Sequence, residues 1–294
     1  MNRRVCLLGF GEVGQALVAD LRSRVDALSA WDLQFADSGS TASLAAGRLD
    51  VFAAADPRSA VADADVVISA VTAAQIGEAS RSVANHLKSR AYFFDLNSTS
   101  PAAKQAAAAV IDSAGGRFVE ATVMSAIAPR RAASPMLLGG PHAAEFLPVA
   151  MQLGFTGAQV FSEKLGAASA AKMCRSVVIK GLEALMLESL LTARKFGVEQ
   201  VVLDSLQSTF SAETSRAHGR YMISRALVHG RRRAEEMREV ARTVAEAGFV
   251  PHMSGACAEW QEWAADHSAA ATNEDLEQML DTLLATKQHG AAPC

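Results

Sequence analysis

Val5-Cys6-Leu7-Leu8-Gly9-Phe10-Gly11-Glu12-Val13-Gly14-Gln15-Ala16-Leu17 passes from an apolar, strand-like run through three glycines into a helix-like stretch that continues to Leu21. In this order, G-x-G-x-x-G marks a dinucleotide-binding turn. Gly9 permits the sharp turn, Gly11 lets the backbone approach a pyrophosphate, and Gly14 lets helix and strand pack closely. The helix start then offers its N–H groups and positive dipole end to phosphate oxygens. Gly9, Phe10, Gly11, Glu12, Val13 and Gly14 are therefore the first candidate cofactor residues.

The pattern outward from this turn alternates. Strand-like segments fall at Val5–Gly9, Leu33–Ala36, Val66–Val71, Ala91–Leu96, Phe118–Val123 and Pro135–Gly139, and helical patterns at Val13–Arg24, Gln75–Leu87 and Pro101–Ser113. This predicts a doubly wound α/β sheet of Rossmann type, with ligands at the strand C-termini. After Gly166 the strand signal fades. Leu165–Phe196 reads as one long helix ended by Gly197, with Gly181 inside it marking close approach of another helix. Further helices are expected at Val201–His218, Ala234–Ala247, Gly255–His267 and Asn273–His289. The expected organisation is a dinucleotide-binding domain over 1–162 and an all-α substrate and dimerisation domain over 163–294.

Bulk properties narrow the function. Half of the 294 residues are hydrophobic, enough for a large core. With 28 Lys and Arg against 31 Asp and Glu, the net charge is −3, which argues against a nucleic-acid surface. Cys6, Cys174, Cys257 and Cys294 form no metal-ligand spacing, and the histidines do not group with carboxylates or thiols, so no metal site is expected. Scattered cysteines and the absence of a leader pattern point to the cytoplasm. The apolar stretch 177–193 carries Lys180, Glu183 and Glu188, so no membrane span is expected.

Further site residues follow from position. Asp37, at the end of the expected second strand, would accept hydrogen bonds from ribose hydroxyls and repel a 2′-phosphate, which favours NAD over NADP; Asp32 competes, but at that strand's start. Val71 and Thr72 close the Val66–Val71 strand with small groups that leave room for a cofactor. Ser100 and Pro101 read as a helix N-cap and first helical residue. Asn97 and Ser98, just before them, would reach a carboxamide at the sheet's mouth.

Gly9–Gly14, Asp95–Pro101 and Gly166–Lys172 together resemble the β-hydroxyacid dehydrogenase family, which includes 3-hydroxyisobutyrate and 6-phosphogluconate dehydrogenases. The resemblance runs along nearly the whole chain and weakens past the long helix. Asp95–Pro101 matches D-x-S-T-x-x-P, with Asn97 at the first hydroxyl position. Glu120–Ala126 stands where the family has D-A-P-V-S-G-G, without the proline and both glycines. Gly166–Ser176 resembles G-x-x-x-A-x-K-x-x-x-N, with Lys172 on the catalytic lysine and Ser176 in place of asparagine.

The resemblance implies an NAD(P)-dependent oxidoreductase acting on a small 3-hydroxy acid. Lys172 would be the general base or acid, and desolvation in its apolar helix opening would lower its pKa. Met124, Ser125 and Ala126 would hold the substrate carboxylate, with Arg232 and Arg233 as further anion clamps. The lysine–aspartate pair of family members falls on Glu235 and Glu236. An imine or enamine reductase on the same scaffold is the near alternative, against which Lys172 counts; a non-catalytic dinucleotide sensor is the distant one. The long, largely apolar helix predicts a homodimer or a higher homo-oligomer.

Overall fold

The structure, a computed structural model, describes residues 3–128, 130–210, 216–248 and 250–287. Two compact units divide the chain, Met1–Met173 and Cys174–Cys294. The division falls inside the long helix rather than ahead of it at 162, so the first turns of that helix belong to the sheet-bearing unit.

The first unit is built on eight strands: β1 (Arg4–Leu8), β2 (Ala27–Trp31), β3 (Phe52–Ala53), β4 (Val66–Ser69), β5 (Tyr92–Asp95), β6 (Arg117–Val123), β7 (Met136–Gly139) and β8 (Ala158–Ser162). They form one sheet in the order β3-β2-β1-β4-β5-β6-β7-β8. Neighbours are parallel except β6 and β7. The strand order reverses between β1 and β4, which opens a crevice at their C-terminal ends. Among the described residues six α-helices connect the strands: α1 (Glu12–Leu21), α2 (Thr41–Arg48), α3 (Pro57–Val61), α4 (Ile76–Ala84), α5 (Pro101–Ser113) and α6 (Ala143–Gln152). Alternate strand residues feed two cores. Leu7 and Phe94 pack on one face with Leu17 and Phe146, and Leu8 and Phe93 on the other with Val83 and Ile111. Covering both faces explains why the strands read as continuous apolar runs.

The doubly wound expectation holds, with one strand misplaced. Leu33–Ala36 is a turn of 3₁₀ helix, and the second strand is Ala27–Trp31, in register with β1. The turn forms because Asp32 caps it, its Oδ1 accepting from Gln34 N at 2.9 Å. Of its apolar residues Phe35 packs, its ring 5.8 Å from that of Phe10, while Leu33 is exposed.

The long helix α7 (Ala167–Phe196) leads into α8 (Glu199–Phe210), α9 (Arg216–Glu246), α10 (His252–Asp266) and α11 (Leu276–Lys287). Within the second unit, Leu187, Ile223, Leu227, Ala264 and Leu280 form a common core. α9 runs unbroken from Arg216 to Glu246, through residues 219–233, for which no helix was expected, and into the helix expected at Ala234–Ala247. Its Gly230 lets α9 and α10 meet backbone to backbone, since a Cβ there would lie 2.3 Å from the Gln261 carbonyl oxygen. Gly181 does not mark such an approach, because a Cβ there would meet nothing within 4 Å. Residues 211–215, within the helix expected over Val201–His218, and 288–294, with Cys294, lie outside the described residues. Among the described residues no helix is long and apolar enough to cross a membrane, and no His/Cys/Asp/Glu cluster could hold a metal.

Candidate functional site

The three glycines of the opening turn do different work. Gly9, directly after β1, has φ +96°, and a Cβ there would stand 2.5 Å from the Ala70 carbonyl oxygen. A Cβ on Gly14 would stand 2.4 Å from the Gly9 carbonyl oxygen. Both glycines are demanded by packing. Around Gly11 a Cβ would meet nothing within 4 Å, and Gly11 N-caps α1 with no side-chain hydrogen bond. Its missing side chain therefore leaves open space at a helix start, the cradle a pyrophosphate requires. Glu12 is exposed and Val13 half-buried beside it. Phe10 departs from expectation as a cofactor residue: its ring is fully buried, and its N–H donates to Asp32 Oδ2 at 2.7 Å.

The same bond relocates the acidic residue. With β2 ending at Trp31, the carboxylate at the strand's C-terminus is Asp32, not Asp37. Asp37 is exposed and closes its own turn, accepting from Gly39 N at 2.8 Å. A cavity of about 600 Å³ opens past Asp32, lined also by Trp31, Phe35, Val51, Asp56 and Pro57. Its lining contains two aspartates and no Lys or Arg. The signal for Asp32 was the Phe10–Asp32 spacing across one strand–turn–helix unit, which the misplaced strand concealed.

The ends of β4 and β5 carry a buried polar group. Lys104, on the inner face of α5, is 0 % exposed and pairs with the equally buried Asp95. Its Nζ also donates to the carbonyls of Asp95 at 3.1 Å and Ala121 at 3.3 Å. Asn97 Nδ2 donates to Asp95 Oδ1 and, at 2.8 Å, to Ser69 Oγ. Burial raises the Asp95 carboxyl above the usual range, while Lys104, Ser69 and Asn97 pull the other way. Asn97 Oδ1 and Ser98 Oγ are buried with no hydrogen-bond partner among the described residues. Buried polar atoms are nearly always satisfied, so these two fit a ligand that supplies the missing partners. Val71 is half-buried, and one of its methyls lies 3.0 Å from the place a Gly9 Cβ would take; Thr72 is exposed. Lys104 escaped the sequence reading. Ala107, Ala108 and Ile111 mark the buried stripe of α5, and Lys104 lies one turn earlier on that stripe.

Glu120, in β6, is fully buried beneath the start of α7. Its carboxylate accepts from Gly166 N at 2.7 Å and Ser169 N at 2.6 Å, which caps a helix that has no acid of its own in its first turn. Lys172 follows Ser169 by three residues and is half-buried. Ser176 is buried one turn on, where its Oγ accepts from Lys180 Nζ at 3.3 Å.

The expected anion groups are largely engaged. Met124 N donates to the Pro135 carbonyl at 2.9 Å, so it does not serve a carboxylate. Ser125 and Ala126 are exposed, with Ser125 Oγ donating to the Ala126 carbonyl at 3.1 Å. In the second unit Arg233 pairs with Glu183, and Arg232 pairs with Glu236 at 3.0 Å. Glu236 also meets Lys180 at 2.7 Å. Each arginine is thus paired with a carboxylate, although Glu236 is shared with Lys180 and Arg233 Nε is buried without a hydrogen-bond partner among the described residues.

A family profile described as the NAD binding domain of 6-phosphogluconate dehydrogenase matches residues 4–162. The chain belongs to the 6-phosphogluconate dehydrogenase-like family of β-hydroxyacid dehydrogenases. A second profile, a domain of unknown function (DUF1932), matches residues 193–264 of this β-hydroxyacid dehydrogenase relative. A conserved hypothetical protein from Sinorhizobium meliloti 1021 is 35% identical, with 97% of each chain covered and a TM-score of 0.73. The conserved protein MTH1747, described as structurally similar to 3-hydroxyacid dehydrogenases, is 30% identical over 90% of this chain and 97% of its own, with a TM-score of 0.68. Mycobacterium tuberculosis 3-hydroxyisobutyrate dehydrogenase shares the fold at 20% identity, with 96% and 99% covered and a TM-score of 0.73. The family is one of oxidoreductases, and the profile of its NAD binding domain spans the glycine turn at the β1/β4 reversal.

Proposed function

We propose that this protein is an NAD-dependent dehydrogenase of a small 3-hydroxy acid, with Lys172 as its general base and acid. The observation that carries the reading is the pairing of open space at Gly11 with the unpartnered acceptor of Asn97, two strands away along the same sheet edge. Gly9, Gly11, Glu12, Val13 and Gly14 would hold the pyrophosphate, and Asn97 the nicotinamide half. The bound nicotinamide ring supplies the hydride acceptor. Lys172 accepts the hydroxyl proton of the substrate as the carbinol becomes a carbonyl, and returns a proton in the reverse direction. Ser176 assists one turn further along the same helix, and Ser125 and Ala126 receive the substrate carboxylate through backbone N–H groups, the Ser125 hydroxyl being spent on the Ala126 carbonyl. A screen of small 3-hydroxy acids with NAD and with NADP, followed by the absorbance of the reduced ring, tests this. Turnover of a cyclic imine with none of any hydroxy acid would overturn it.

Coenzyme preference rests on Asp32. A carboxylate facing the adenosine ribose accepts from its hydroxyls and repels a 2′-phosphate, and two like charges 4 Å apart cost about 4 kcal/mol near a surface. NADH is therefore expected to bind at least about tenfold more tightly than NADPH, a difference of about 1.4 kcal/mol. Asp32→Asn removes the charge but turns its NH₂ against one of the two backbone donors, Phe10 N or Gln34 N, so the NADH/NADPH ratio rather than either affinity alone reads the effect, and that ratio should narrow. Equal affinities in the unaltered protein, measured by fluorescence titration, would remove Asp32 from this role.

The assembly we propose is a homodimer through α7. Val178, Ile179, Leu182 and Leu185 are exposed along it at positions i, i+1, i+4 and i+7, an apolar stripe that a second copy would cover. Sedimentation at micromolar concentration should give a dimer, and Leu182→Glu should give a monomer. A stable monomer of the unaltered protein would count against this assembly.

A further inference from the structure

We infer that Asp95 and Lys104 are positioning residues that lock the Asn97 amide with its oxygen outward, so that the site selects a coenzyme ring bearing a hydrogen-bond donor, the carboxamide of nicotinamide. The inference deepens the dinucleotide reading above and rests on it.

The chain of contacts runs from the core to the mouth. Lys104 makes three bonds, to the Asp95 carboxylate, the Asp95 carbonyl and the Ala121 carbonyl, and so ties α5 to the ends of β5 and β6. Both members of the ion pair are 0 % exposed. Such a pair is a poor way to hold a sheet together, since apolar side chains of similar volume often do as well or better. What apolar side chains could not do is fix the sense of an amide. An ionised carboxylate only accepts, so the Asn97 nitrogen must face Asp95 Oδ1, and its second N–H reaches Ser69 Oγ. Ser69 and Asp95 are register partners at the ends of β4 and β5, so the amide nitrogen bridges the two strands. The oxygen is thereby turned away from them, and it is this atom that has no partner. Lys104 pairs with Asp95 and aims it; Asp95 keeps the amide oriented; Asn97 Oδ1 is left as an acceptor for a donor from outside. A carboxamide NH₂ supplies that donor, and an acetyl group in its place does not.

The test measures binding of NADH and of its 3-acetylpyridine analogue to the full-length protein by fluorescence titration. The unaltered protein is expected to favour NADH at least tenfold. Lys104→Met, which removes the cation and keeps the side-chain length, should bring the ratio close to one. Asn97→Ala should do the same with the buried pair intact, and it serves if Lys104→Met does not fold. A purely structural role would weaken both dinucleotides in parallel and leave the ratio unchanged in either variant, which would overturn the inference. Equal binding of both by the unaltered protein would overturn it while the dinucleotide reading stands. Binding of neither overturns that reading and this inference together.

Discussion

Lys172→Ala is expected to lower turnover by about 10²- to 10⁴-fold, the usual contribution of a general acid–base group, and to leave NADH affinity within about twofold. The two effects separate because they depend on different parts of the sheet-bearing unit. The glycine turn and Asp32 sit at the ends of β1 and β2, whereas Lys172 belongs to α7. An amine that takes the hydroxyl proton only as hydride departs contributes to the transition state and little to coenzyme binding, so kcat and kcat/KM should fall together. Lys172→Arg should not restore the rate. A guanidinium stays protonated at any working pH and cannot act as the base for oxidation. Stopped-flow measurement of the first turnover separates this from slower product release. Turnover of the alanine variant within tenfold of the unaltered protein would remove Lys172 from the chemistry. A protein that binds NADH and turns over none of the tested hydroxy acids would instead favour the sensor reading.

The parts of the fold legible in the sequence are those set by local rules. The β1–turn–α1 unit was readable because glycine positions and apolar periodicity coincide within a few residues. α5 was readable to its ends because Ser100 caps it, accepting from Ala103 N at 3.3 Å, and Pro101 fixes its first φ. Legibility failed where tertiary contacts decide. β3 and much of β8 are exposed edge strands with little hydrophobic signal. Leu33–Ala36 has the apolar content of a strand, but the Asp32 cap makes it a turn. The sequence pattern assigns no helix to residues 219–233, yet α9 runs through them. Only the packed partner helix reveals that a Cβ at Gly230 would lie 2.3 Å from the Gln261 carbonyl oxygen of α10. The same limit governs the site. Gly9, Gly11 and Gly14 are found by spacing, whereas Lys104 and Glu120 act through bonds to residues 9 and 46 positions away, which no local pattern encodes.

Glu120 is where that non-local link carries the largest stability effect. Its carboxylate sits in a strand core and accepts two backbone N–H groups from the start of α7. Three features make the bond possible. Gly166 has φ +91°, a left-handed conformation that a side chain would strain. Gly139, its partner across the β6–β7 ladder, has no side chain, and a Cβ there would lie 2.5 Å from Glu120 Oε2. The helix start also contributes a positive dipole end. Hydrogen bonds to a charged group contribute about 1.5–3 kcal/mol each. Glu120→Ala gives up both and also relieves the cost of burying a charge, so the expected net loss is about 3 kcal/mol. For a unit of this size that lowers the melting temperature by about 6–12 °C. Glu120→Gln should recover little, because its NH₂ would face one of the two backbone donors and leave it unsatisfied. Since Ser169 precedes Lys172 by one helical turn, loosening this cap should also lower kcat more than it weakens NADH binding. Calorimetry of the two variants checks the first expectation and steady-state kinetics the second. Melting within 2 °C of the unaltered protein would mean that α7 is held by its packing alone.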